Sequence, residues 1–459
     1  MQGELWTPTA ELPRSPGHPF YSRLNALLAE AKFDDFVEKL CAEHYANDGR
    51  PGVPPGIYFR MLLVGYFEGL DSQRGIAWRC ADSQSVREFL GLAPTQPAPD
   101  HSTLTLIRKR LPDSVFQEMF LFVLKLSVAR NLVPGKTIGV DTTTLEANAA
   151  MKSIVRKDNG ESWNEYLTRL AREAGIENPT PGDLARFDRQ RTDKTVSNSD
   201  WRSSTDPDAR IAKMKDGTTH MAYKAEHAVD LNSSLIVAAD VHLGTASDAK
   251  TLPNAVLTAS VNLDLAGAPK AVEEVAADRG YHSVEALAAC AEMGVRTYIP
   301  ERRQKTRRWD KKPAEQRRAF HANRRRMKGN HGRELSRKRS ALVERSFAHI
   351  CETGGGRRSH LRGLEDVRKR HLGSVIAYNL GVIMRMLHGI GGPRSLQGVR
   401  REVFSVVFCV LSNRKSVFFP FVRSSCCGDL AITPARDSSP RPGPTIRRTA
   451  KTVRPSSTD

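Results

Sequence analysis

The run from Lys136 to Asn148 limits the fold more than any other stretch. Gly135 turns the chain, Ile138 and Val140 alternate with smaller residues, and the run delivers Asp141. That pattern predicts a buried strand carrying a carboxylate into its surroundings. A second strand-like run, Ala271 to Ala277, delivers Asp278, and a helix predicted to start near Ser340 carries Glu344. One aspartate at a strand end is as readily a solvated acid. Two of them, with a glutamate on a later helix, make an all-oxygen acidic site. Such a site suits Mg²⁺, with Mn²⁺ as a substitute, because hard cations take carboxylates and keep some of their waters.

The 459 residues suffice for two or three domains. A formal net charge of +19 points to a polyanionic partner, nucleic acid first. The seven cysteines form no Cys-x-x-Cys pair, which predicts neither a zinc site nor a disulfide framework and places the chain in a reducing cytosol. The polar, Pro-rich first 20 residues lack the pattern of a signal peptide. The longest apolar run, Val403 to Leu411, is too short to cross a bilayer, so no membrane partner is expected.

Residues 1–19 are an irregular arm by composition, and residues 20–132 are predicted to be all α. In that region apolar residues recur at helical spacing, broken at Pro51, Pro54 and Pro55 and again over Pro94 to Pro99. Strands begin at Thr137. A polar interval, about 151–219, is an expected insertion containing helices near 163–174 and 181–191. Runs 223–229 and 235–241 flank a turn and predict a hairpin, with Asp230 as a turn residue. Asp248 is expected to cap a helix, and strand, helix, strand then follow to Ile299. The order predicts a mixed α/β sheet over 133–392.

Residues 301–339 form a basic insertion with 17 Lys/Arg against four acids. A charge run is commonly a solvated face. Between an Asp strand and a Glu helix it is expected instead to hold phosphates through Arg302, Arg303, Arg307, Arg308, Arg324, Arg325, Arg337 and Arg339, with Trp309 available to stack on a base. From residue 393 to 459 the composition turns to Pro, Ser and Arg and predicts a largely disordered tail.

Carboxylates holding divalent ions beside a basic surface can clamp both oxygens of a phosphodiester without a nucleophilic side chain. No phosphate-binding glycine loop, dinucleotide fingerprint or nucleophile elbow competes with that reading. At this point the sequence resembles a known family. Gly139 to Asn148, Asp278-Arg-Gly-Tyr-His-Ser283, Val343 to Phe347 with Gly354 to Gly363, and Ala377 to Leu380 resemble, in order, the acid-bearing motifs of bacterial insertion-sequence DDE transposases of the IS-four/IS-five superfamily. Pro99 to Thr103 and its neighbouring helices are similar to that branch's N-terminal DNA-binding module. The resemblance spans roughly 18–392.

It implies an RNase-H-like catalytic domain with Asp141, Asp278 and Glu344 as Mg²⁺ ligands. It also implies double-stranded DNA, both element ends and target, as partner, a homodimer or higher oligomer on that DNA, and a nucleoid-associated location. Where many relatives carry Tyr, Arg and Lys around the glutamate, this chain has Arg337, Ser340 and Cys351; Arg337, Arg339 and Arg345 are the cations on hand. Tyr281 and His282, beside Asp278, and Arg357 and Arg358, after three glycines, are further expected DNA contacts. Asp240 is a weaker acid for the site, whereas Glu146, an odd number of residues from Asp141 and so on the opposite strand face, is expected to be a solvated or structural acid. The rival readings are another RNase-H-like nuclease and a catalytically dead DNA-binding remnant.

Overall fold

The computed structural model describes residues 17–46, 52–192, 197–214, 217–302, 309 and 312–395. Arg303, Arg307 and Arg308, the arm up to residue 16 and the tail from 396 lie outside the described residues.

The chain opens with helices α1 (Pro19–Glu30), α2 (Phe33–Cys41), α3 (Pro55–Glu68), α4 (Gln73–Asp82), α5 (Gln84–Phe89), α6 (His101–Arg110) and α7 (Asp113–Ala129). Their starts follow from local chemistry. Pro55 sits in the first turn of α3, where its missing N–H costs nothing. Ser72, Ser83 and Asp100 accept from the backbone N–H groups of Gly75, Val86 and Ser102 and so cap α4, α5 and α6.

Next come β1 (Thr137–Glu146), β2 (Ile154–Arg156), α8 (Trp163–Glu173), α9 (Pro181–Gln190), β3 (Trp201–Ser203) and β4 (Arg210–Lys213). They are followed by β5 (Thr219–Asp230), β6 (Ile236–Leu243), α10 (Asp248–Leu265), β7 (Glu274–Ala277), α11 (Val284–Glu292) and β8 (Arg296–Tyr298). The described residues end with α12 (Ala314–Lys328), α13 (Asn330–Ala348) and α14 (Leu364–His388).

The main sheet is mixed. β1, β7 and β8 are parallel neighbours, β5 lies antiparallel on the other side of β1, and β6 and β4 pair with successive halves of β5's outer edge. β2 and β3 form a separate two-stranded ribbon. The expected hairpin and the parallel strands are therefore present. The polar interval is less detached than expected, because its β4 joins the main sheet; a four-residue strand with two charged ends, Arg210 and Lys213, carries little periodic signal.

One correction concerns the basic region. Residues 314–328 form a helix within the basic insertion, and the helix that carries Glu344 begins at Asn330, not near Ser340. Arginine and lysine are good helix formers, so their abundance is compatible with both helices.

Opposite faces of the sheet are covered by different helices. Thr142 and Glu226 bond to Asp248 and Thr251 of α10. Gly139, Asp141 and His227 face α13. Alternation along each strand forces this division. Helix α14 packs on β6 and reaches back to α3 and α7, joining the N-terminal helices to the sheet.

At one residue of β6 and one just past β8, a buried asparagine amide takes up the outward backbone groups. Asn379 of α14 accepts from Ile236 N and donates to Ile236 O, and Asn323 of α12 does the same at Ile299. Backbone groups left open on an edge strand would otherwise invite pairing with another chain.

One buried polar pair ties the layers together. Ser346 Oγ donates to Val343 O and so accepts from His227 Nδ1, which leaves His227 Nε2 to accept from His371 Nε2 at 2.8 Å. Burial holds both imidazoles neutral, His227 well below its ordinary value and His371 at about 4 against 6.5. The unfolded chain takes up protons below 6.5 and the folded chain does not, so this stabilisation is complete above 6.5 and is lost as the pH falls towards 4. Urea unfolding of the wild type should therefore lose stability between pH 6.5 and pH 4 by up to about 1.4 kcal/mol per pH unit for each proton taken up. The double substitution His227→Phe/His371→Leu should flatten that slope; an unchanged slope would assign the acid sensitivity to other groups.

Candidate active site

β1 and β7 run parallel with Val140 opposite Ala277; Asp141 is the next residue of β1, and Asp278 is the first residue past the end of β7. Such strands are about 4.8 Å apart. This brings together two of the three acids expected from the sequence.

Asp141 is mostly buried. Its Oδ1 accepts from Thr142 N, and its Oδ2 takes Nη1 of Arg339 at 2.6 Å. The sequence assigns Arg339 to DNA; the structure makes it the counter-ion of the first aspartate. Asp278 follows β7 and accepts from Gly280 N at 2.7 Å, capping a single helical turn.

A Cβ added to Gly280 would stand 2.9 Å from Asp278 Oδ1 and 3.0 Å from Asp248 Oδ2, so these two carboxylates crowd the same small space. The sequence makes Asp248 only a helix cap. Ser247 holds that position, and the Asp248 carboxylate instead accepts from Thr142 Oγ1 and pairs with Lys224 Nζ at 2.8 Å. Glu226, on β5, is buried and accepts from Thr251 Oγ1, Tyr281 Oη and His242 Nε2. On His242, burial works against protonation, but the Glu226 hydrogen bond and the charge of Asp240 raise its pKa overall. Sequence reasoning missed Asp248 and Glu226. The signal for Glu226 was its alternation with Lys224, which puts two ionisable residues on one face of a buried strand.

Glu344 lies on α13 one residue beyond Val343, which is buried against Gly139. It is exposed, accepts from Ser340 Oγ at 2.8 Å, and lines an open depression with Arg337 and Arg345. Five residues separate Glu344 from Arg339, about 140° round the helix and about 7.5 Å along it. Among the described residues no group of three or more His, Cys, Asp or Glu side chains is arranged to hold a metal ion. In donor chemistry, Asp141 and Asp278 fit a hard divalent cation, being carboxylates on β1 and just past the end of its parallel neighbour β7, with Arg339 supplying positive charge to Asp141.

Other expected contacts take different roles. Tyr281 is fully buried with its hydroxyl on Glu226, and burial raises its pKa well above the ordinary value. His282 is buried with its ring against Phe320. Neither offers surface to DNA, because the turn after Asp278 points them inward. Arg302 donates to the carbonyls of Arg279 and Gly280 and braces that turn. Arg324 makes two bonds to Glu301, while Arg325, Arg337 and Arg345 are exposed. Trp309 packs on Phe320 and His321.

Arg357 pairs with Glu352, and Arg358 lies 3.8 Å from Glu146. The glycines before them serve packing: a Cβ on Gly354 would stand 2.7 Å from the Tyr66 ring, and one on Gly356 equally close to Ile350 O. Asp240 pairs with Arg368 and His242. Asp230 is the turn residue expected, accepting from Asn232 N, Ser233 N and Gly135 N.

Two family descriptions match the chain: "Transposase domain (DUF772)" over residues 10–110, and "Transposase DDE domain" over residues 188–380. Together they support a DDE transposase. The transposase DDE match includes Asp278, Glu344, Asp248 and Glu226; Asp141 falls between the two matched spans. No curated protein and no solved structure matched the chain. No helix among the described residues is long and apolar enough to cross a membrane.

The Arg339–Asp141 pair is testable without activity. Arg339→Met and Asp141→Asn should each destabilise the fold, and the double variant should show a coupling of about 1–2 kcal/mol in a double-mutant cycle by urea unfolding. Simple additivity would mean that the pair contributes nothing.

Proposed function

We propose that the chain is the transposase of an insertion sequence in the IS-four/IS-five superfamily. It binds the ends of its element as double-stranded DNA and carries out strand cleavage and strand transfer with Mg²⁺. The observation that carries this reading is that Asp141 stands on β1 one residue past Val140 while Asp278 follows Ala277, the partner of Val140 at the end of the neighbouring parallel strand, beside a transposase DDE match. The strand order, with β5 antiparallel to β1 and β7 and β8 parallel to it, supports an RNase-H-like catalytic domain.

Asp141, Asp278 and Glu344 are the residues that would hold the metal. When bound, it supplies the positive charge that clamps the attacking and leaving oxygens of a phosphodiester. The remaining chemistry belongs to the chain. Arg339 neutralises Asp141, and Arg302 fixes the turn after Asp278. The Lys224–Asp248–Thr142 bonds hold β5, α10 and β1 in register around the acids. Arg337 and Arg345 flank Glu344, and Arg325 is exposed on α12, so DNA phosphates find cations beside the acids. Residues 20–132 supply recognition of the element ends, and the active species is a homodimer or higher oligomer on DNA.

One observation favours a second assignment of the third acid. Asp248 Oδ2 crowds Asp278 across Gly280, whereas Glu344 is exposed and bonded to Ser340. Cleavage of end-containing DNA separates the two. With Glu344 as third acid, Glu344→Gln abolishes cleavage with DNA binding retained, as Asp141→Asn and Asp278→Asn also do, and a chelator stops the wild type. An active Glu344→Gln beside an inactive, folded Asp248→Asn reverses the assignment. Cleavage that survives exhaustive chelation removes the metal from the proposal.

The exposed arginines make a separate prediction. Neutralising Arg325, Arg337 and Arg345 should weaken binding to all duplexes alike. It should also reduce the log–log salt slope by about 0.9 for each DNA phosphate that no longer meets a cation; an unchanged slope would make them a solvated face.

A further inference from the structure

A cavity of about 320 Å³ lies between α3, α4 and α6 on one side and α14 with the loop before it on the other. That volume falls within the range of small-molecule sites, about 300–1,000 Å³. Its wall contains none of Asp141, Asp278 and Glu344. The loop that closes it is anchored by Glu146, whose N–H donates to Arg357 O and whose carbonyl accepts from Ser359 N. Asp141 is five residues back along β1 from that anchor, about 17 Å in an extended strand.

The charge of the wall is uneven. Arg74, Arg108, Lys369 and Arg370 line it, and among the described residues Asp71 is its one carboxylate. Arg370 is an anomaly. It is half-buried; burial lowers its pKa, the nearby Asp71 carboxylate raises it and the charge of Arg108 lowers it again, with a net lowering, and among the described residues its one hydrogen bond runs from Nη2 to Gly355 O. A guanidinium has five N–H donors, and a buried one is ordinarily matched to a carboxylate or phosphate.

Arg108 is 8% exposed, and its Nε has no hydrogen-bond acceptor among the described residues, the nearest carboxylate oxygen being that of Asp366 at 3.5 Å. At the rim Arg74 donates to His101 Nε2, while Nδ1 of that ring pairs with Asp100, so the imidazole is oriented as an acceptor and Arg74 keeps further donors. The wall also carries Tyr58, Tyr66 and Phe116 with aliphatic side chains, and Ser72, Gln73 and Ser374 as neutral polar groups. Cations left short of acceptors, next to aromatic rings, match a ligand that joins a flat apolar body to an anion.

We propose that this cavity is a binding site for a single nucleotide unit, its phosphate on Arg370 and Arg74 and its base against the aromatic wall. That chemistry has two sources, a free nucleotide or an unpaired nucleotide of a DNA strand. The site is independent of the carboxylate chemistry. Its walls come from both matched spans, so an occupant bridges them.

Calorimetric titration of the full chain with dAMP, deoxyadenosine and inorganic phosphate tests it. dAMP should bind with sub-millimolar affinity, at least tenfold tighter than either half. Arg370→Met should weaken dAMP at least tenfold with the melting temperature retained, and Arg74→Ala, on an exposed side chain, severalfold. Should Arg370→Met fail to fold, the Arg74→Ala result decides. Displacement of dAMP by a duplex containing one unpaired nucleotide, but not by the perfect duplex, assigns the DNA source; no displacement by either assigns the free nucleotide. Absence of dAMP binding, equal binding of phosphate alone, or wild-type affinity in a folded Arg370→Met protein overturns the proposal.

Discussion

The missing side chain at Gly139 sets how closely α13 can lie on the sheet. A Cβ there would stand 2.7 Å from Leu231 Cδ2, 3.0 Å from Val343 Cγ2 and 3.1 Å from Arg339 Cγ. Core packing at these separations leaves no room for a methyl group. Because the site is bare, Val343 seats against β1, and Arg339, one turn earlier, reaches Asp141 two residues along the same strand face. The same docking brings Ser346 to His227, which faces Asp141 across the β1–β5 pair.

The acids at the centre of the sheet are tolerated because each has a partner. Asp141 has Arg339, Asp248 has Lys224 and Thr142, and Glu226 has two hydroxyls and His242. An ionised carboxylate buried without such partners would cost several kcal/mol. The division between sheet faces matters here. Arg339 works from the α13 face, whereas Lys224, Thr251 and His242 work with the α10 side, so the cluster is neutralised from two directions.

The parts of this arrangement that were legible in the sequence are those governed by short-range periodicity. Ile138 and Val140, both buried, marked β1, and the Asp230 turn marked the hairpin. What escaped depends on contacts between distant residues. Asp248 precedes a helix and resembles any capping acid until Thr142, 106 residues away, is seen to bond it. Tyr281 and His282 follow Asp278 and so suggested a surface, but the helical turn that Asp278 caps directs them inward. The three glycines at 354–356 suggested a phosphate loop; their actual constraint is the Tyr66 ring of α3 and the Ile350 carbonyl. In each case the residue type was informative and the partner was not.

The placement of Asp141 shows how a candidate site residue can lie outside a matched span and still be determined by it. β1 lies between the two matched segments. Its partners do not. β5 pairs with it from Ile138 to Glu146, β7 from Thr137 to Val140, and the loop at 357–359 bonds both backbone groups of Glu146. At its other end Asp230 accepts from Gly135 N, and Leu231 N donates to Thr137 O. A one-residue slip would send Ile138 and Val140 to the α13 face and Asp141 to the other. With pairing on both sides and backbone anchors at both ends, that slip would break all of these bonds together. The segment from 188 to 380 therefore fixes where Asp141 stands, while β1 contributes the carboxylate itself.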